Sequence, residues 1–118
     1  MNWLIVFLGG GVGAVSRYGL GIVFKGMSKG FPWATLIANI IACLLIGALF
    51  ATQLRTMNKS LWLLLAVGFC GGLSTFSAFS LETVELFQQA DYRNAVLNIV
   101  ISVVGCLLCT YGVSRLIA

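Results

Sequence analysis

The sequence predicts an all-α membrane protein with four transmembrane helices per subunit, the third of them broken mid-membrane. Three observations point there. Of the 118 residues, 60% are hydrophobic and 8% charged, with a mean hydropathy of +1.05, which leaves almost no material for a domain outside the bilayer. Crossing about 30 Å of hydrocarbon takes roughly 20 apolar residues, and the chain holds four such runs joined by short loops, one domain over residues 1–118. The third run contains GFCGGLSTFSAFS, residues 68–80, where paired glycines followed by hydroxyl and β-branched residues weaken a helix. Unwound backbone at membrane depth is tolerated only where protein or water covers its polar groups, so such a break is a candidate ion or substrate site. The plainer reading of the same residues is a Gly/Ser-rich helix contact.

Composition also excludes. The isoelectric point near 9.1 could suggest nucleic acid, but the basic residues stand at segment ends, where they anchor helices to lipid headgroups. The first apolar run has no basic leader or small-residue cleavage site ahead of it and continues into a full span, so it is expected to be retained. Cys43, Cys70, Cys106 and Cys109 all fall in apolar runs. Cys106 and Cys109 form a CxxC at helical spacing, but the chain has no histidine; small helix-packing residues are the better reading than zinc or redox chemistry.

Segment one covers about residues 2–24. Gly9 and Gly13 form a GxxxG that allows two helices to approach closely. Arg17 lies within the span, so it either snorkels to the interface or faces protein, water or an anion. Residues 25–31 form a loop, and Pro32 suits the first turn of segment two, about 33–54. Thr35 and Asn39 share one face of that span. Residues 55–59 are a short polar loop. Segment three, about 60–88, is long for one span, and a break near 71–74 divides it; Glu82 and Glu85 lie toward its far end. After a turn over 89–93, segment four covers about 94–116, with Asn98 and Ser102 on one face and Tyr111 and Arg115 at the closing interface.

Four spans put Arg55, Lys59 and Arg115 on one side and Lys25, Lys29 and Arg93 on the other, three against three with Arg17 left inside a span. Orientation follows Lys/Arg asymmetry. Here there is almost none, so the chain is expected to insert both ways and form a dual-topology antiparallel homodimer. A chain this small also lacks the bulk to enclose a pore alone.

Four pieces of the sequence, GGGVGAVSRY (9–18), TLIAN (35–39), GFCGGLSTFSAFS (68–80) and the 102–105 region, resemble the Fluc/CrcB fluoride channels in all four spans and in order. The resemblance implies passive export of toxic fluoride across the bacterial inner membrane through two pores per antiparallel homodimer. It implies a structural sodium ion where the two segment-three breaks cross, held by the backbone carbonyls of Gly71 and Ser74. Ser stands at 74 where the family more usually has Thr, which a backbone role makes immaterial. Phe76 and Phe79 match the pore-lining phenylalanines and Asn39 the pore asparagine. Ser102 matches a hydroxyl on the polar track of segment four, Thr75 a further hydroxyl of the motif, Arg17 the segment-one arginine and Glu82 the acidic residue after the motif. Asn98 stands where many relatives have tyrosine, and Ala78 where they usually have threonine.

The residues suit that chemistry. Fluoride is small and strongly hydrated, so a pore must replace its water with donors without trapping it. Asn39 offers N–H, and Ser102, Thr75 and Ser80 offer O–H. Phe76 and Phe79, three apart on one helix face, can turn positive ring edges to an anion while excluding water. A small multidrug exporter is also short, four-span and dual-topology, but needs a membrane carboxylate for proton exchange, and segment one carries Arg17 instead. A purely structural subunit explains the glycines but not Asn39, Phe76, Phe79 and Ser102 together. An enzyme is not expected, because no nucleophile–base pair can be assembled without histidine or a mid-span carboxylate.

Overall fold

Apolar runs with few helix breakers fold into helices that satisfy their own backbone, as a membrane demands. In the computed structural model, which describes residues 1–27 and 30–118, the elements among those residues are all helical. Lys29, counted above among the charges of one side, lies outside the described residues, as does Ser28 in the expected 25–31 loop. Helix α1 is Asn2–Val23 and α2 is Trp33–Ala51. The stretch expected as a polar loop holds a single helical turn, α3 (Leu54–Met57). The third span follows as α4 (Lys59–Trp62), a π-helical run Leu63–Cys70, α5 (Gly71–Leu73) and α6 (Phe76–Gln88); α7 is Tyr92–Ile117. Four helical stretches are long and apolar enough to cross a membrane: Asn2–Val23, Trp33–Ala51, Lys59–Gln88 and Tyr92–Ile117.

Local chemistry sets the joints. Asn58 is extended and accepts the Leu61 N–H at 3.0 Å, capping α4. Asp91 caps α7 by accepting from Asn94 N and is held by Asn94 Nδ2 at 2.8 Å. Between α5 and α6, Ser74 (φ −79°, ψ 153°) and Thr75 (φ −153°, ψ 121°) are extended, while Gly71 and Gly72 remain helical. Thr75 Oγ1 accepts from Ala78 N at 3.1 Å and so caps α6.

Two helix pairs dominate the packing: α1 against the π-helical run and α5, and α2 against α7. The first is a crossing of two GxxxG pairs, Gly9/Gly13 and Gly68/Gly72. A Cβ on Gly9 would collide with the Leu64 carbonyl, one on Gly13 with the Phe69 carbonyl and one on Gly72 with the Gly10 carbonyl. Of the paired glycines that read as helix weakeners, Gly72 therefore serves here as contact surface, while Gly71 does not. In the second pair, a Cβ on Gly47 would lie 2.6 Å from the Thr110 carbonyl, and Thr110 Oγ1 donates to Cys43 O at 3.2 Å. A small core of Ala38, Ala42, Cys70 and Leu73 joins the two pairs.

Candidate functional site

The extended Ser74–Thr75 link leaves Thr75 N without a helical partner, and Asn39 on α2 engages both polar groups of the Thr75 backbone. Thr75 N donates to Asn39 Oδ1 at 2.8 Å, and Asn39 Nδ2 donates to Thr75 O at 3.3 Å. The backbone N–H fixes which end of the amide is oxygen, so the side chain is held in one orientation with a second N–H to spare. In a continuous helix Thr75 N would serve the Gly71 carbonyl and Ala78 N the Ser74 carbonyl. Asn39 takes the first donor and Thr75 Oγ1 the second. The carbonyls of Gly71 and Ser74 are thus released from those helical bonds, and a Cβ on Gly71 would meet nothing within 4 Å. Two released carbonyl oxygens fit a hard monovalent cation in donor type, and they amount to half or less of an ordinary coordination shell.

Asn39, Ser74, Thr75, Phe76, Phe79 and Ser102 line one cavity of about 350 Å³, together with Cys43, Val103, Cys106 and Leu107. The Phe76 and Phe79 rings stand 5.5 Å apart, centroid to centroid, tilted by 45°. Phe79 is 8% exposed and Phe76 77%, so one ring is packed into the subunit and the other stands free at its surface. Five of the six residues expected on an anion path therefore share a cavity.

Arg17 is the sixth, and it lies elsewhere. It lines a second cavity of about 410 Å³ with Thr35, Lys25 and Glu82, and its Nε donates to Gly72 O at 3.2 Å. That bond ties α1 to the carbonyl just ahead of the extended link. Among the described residues, Glu82 Oε1 is buried in this region with no hydrogen-bond partner. Ser80 does not line the first cavity either.

Two of the three hydroxyls expected to face an ion, those of Ser102 and Thr75, are engaged within the protein. Ser102 Oγ donates to Asn98 Oδ1 at 3.1 Å, Asn98 Nδ2 to Thr83 Oγ1 at 2.9 Å, and Thr83 Oγ1 to Phe79 O at 2.7 Å. Asn98, 1% exposed, is thus the centre of a buried polar thread from α7 to the backbone of Phe79. Thr75 Oγ1 shares a hydrogen with Ser77 Oγ at 3.1 Å. Thr83 escaped sequence reasoning; its one signal was its place four residues after Phe79.

A family model described as "CrcB-like protein, Camphor Resistance (CrcB)" matches residues 4–113. A protein of Coxiella burnetii (strain Dugway 5J108-111), named fluoride-specific ion channel FluC, is 46% identical over 111 residues, 91% of this chain and 90% of its own. Proteins with the same name from Geobacter sulfurreducens and Pectobacterium atrosepticum are 42% and 40% identical, over 92% and 91% of this chain and 90% and 86% of theirs. With the family model and these relatives both covering nearly its whole length, the chain belongs to the CrcB family, as the motif at residues 68–80 had indicated.

Proposed function

We propose that this protein is a fluoride-selective channel that lets fluoride leave the cell passively through the bacterial inner membrane, working as a dual-topology antiparallel homodimer with two pores. The observation that carries the reading is the cavity uniting Asn39, Thr75, Phe76, Phe79 and Ser102. The relatives named as fluoride-specific channels support the choice of ion. The exposed ring of Phe76 and the near-even sharing of Lys and Arg between the two sides support a second, inverted copy that completes the wall.

In this reading the ion gives up water at the cavity. The spare N–H of Asn39 donates to it, and the ring edges of Phe76 and Phe79 favour it weakly. Ser102 contributes by turning its hydroxyl from Asn98, whose amide keeps Thr83 when it does so. No lysine lies on the path, so the anion is not trapped. A structural sodium ion held by the carbonyls of Gly71 and Ser74 from both copies would add a fixed positive charge beside the path. Arg17 positions that link through Gly72 and lies outside the pore wall.

The test is anion efflux from liposomes holding the purified protein, read with a fluoride electrode beside chloride-loaded vesicles. Rapid fluoride efflux without chloride efflux is expected. Folded dimer that releases no fluoride contradicts the reading.

A further inference from the structure

Asn39, Cys43 and Gly47 follow one another at one-turn intervals on α2; Ser102, Cys106 and Thr110 do the same on α7. The two helices run in parallel register. Gly47 meets Thr110, and the carbonyl of Cys43 receives the Thr110 hydroxyl. One turn back, the same register brings Cys43 opposite Cys106, and both line the same cavity as Asn39, Phe76 and Phe79. The other two cysteines differ. Cys70 is buried in the core, and neither it nor Cys109 lines the cavity. Among the described residues no group of three or more His, Cys, Asp or Glu could hold a metal ion, so a four-coordinate zinc site is not available. Two cysteines opposite each other in the register of a helix pair, both lining one cavity, offer something narrower, a two-coordinate site for a soft ion.

We infer that Cys43 and Cys106 form a thiol-pair site for a soft monovalent cation, silver or cuprous copper, in the wall of the cavity, and that filling it blocks the fluoride path. The site rests on geometry alone; the block rests also on the channel reading. As the cation binds, each thiol gives its proton to buffer and each sulfur forms one bond to the metal, with no change of oxidation state. The bound ion draws the two side chains together one turn from Asn39, in the space an anion would cross. Hard cations such as sodium or magnesium gain nothing from thiolate ligands and leave the site empty.

The experiment uses full-length protein in chloride-free buffer, titrated with silver nitrate against a thiol competitor. Bound silver is measured after gel filtration for the wild type and for Cys43→Ala, Cys106→Ala and Cys109→Ala. One ion per chain is expected in the wild type and in Cys109→Ala. In Cys43→Ala and Cys106→Ala retention weakens by about 100-fold, at least the upper end of the 10- to 100-fold typical of losing an outer-shell partner. Equal retention by all four proteins, or loss in Cys109→Ala alone, overturns the site. Fluoride efflux from the same preparations, each referred to its own metal-free rate, tests the block. Efflux should stop at stoichiometric silver in the wild type and Cys109→Ala but continue in the other two. Silver bound at the pair with fluoride efflux undiminished overturns the block. Absence of efflux in every metal-free sample instead counts against the channel reading and leaves the binding result standing.

Discussion

Asn39 holds Thr75 by both its N–H and its carbonyl, so one side chain on α2 stabilises two residues of extended backbone in the third span. Asn39→Ala leaves Thr75 N without its partner, and we expect it to cost about 1–3 kcal/mol, read as earlier thermal unfolding in detergent. Asn39→Asp keeps the acceptor for Thr75 N but sets a second oxygen against Thr75 O and a negative charge on the proposed anion path. It should abolish fluoride efflux while losing less stability than the alanine variant. If the two variants lose efflux and stability in parallel, Asn39 acts only as a support. The importance of Asn39 was legible as a lone amide in an apolar span. Its partner was not, because sequence does not tell which backbone groups a fold will strip of their helical bonds. Ser102 shows the same limit: its hydroxyl was legible, its engagement by Asn98 was not.

At the scale of elements, the glycines of α1 and of the third span form one crossing. Gly72→Ala should cost about 1–3 kcal/mol, since the new Cβ meets the Gly10 carbonyl and backbone on both sides cannot yield as a side chain would. Gly112→Ala on α7, where a Cβ meets nothing within 4 Å, should instead be neutral or raise stability by up to about 1 kcal/mol through better helix propensity. Thermal unfolding of the pair in detergent decides, and equal losses would contradict the crossing. Ala90, in the left-handed region at φ 60° between α6 and α7, makes a third case: Ala90→Gly should stabilise by about 1 kcal/mol. The four apolar runs stood plainly in the sequence. The π-helical turns of Leu63–Cys70 did not, because LLLAVGFC is apolar at every position but Gly68 and so carries no period to tell a wider helix from an ordinary one.

At the scale of the molecule, the described chain measures 48 × 30 × 20 Å and leaves large apolar side chains exposed along its helices, among them Phe7, Val15, Val100 and Leu107. Lipid or a second copy must cover them. With three basic residues on either side, dual insertion predicts that a cysteine placed at Gln53, between α2 and α3, is labelled from both faces of sealed vesicles. Labelling should be near equal, measured in a background without the native cysteines, and shift to one face when two lysines are added beside it. Labelling from one face only would contradict the antiparallel arrangement. The central claim, that fluoride crosses at the cavity of Asn39 and the two phenylalanines, is met most directly by comparing fluoride efflux through the wild type and Phe76→Ile in liposomes, both shown folded. The cavity path predicts that the variant loses about tenfold or more of the rate, the scale set by about 1.4 kcal/mol of lost aromatic contact. Undiminished efflux through Phe76→Ile would contradict it.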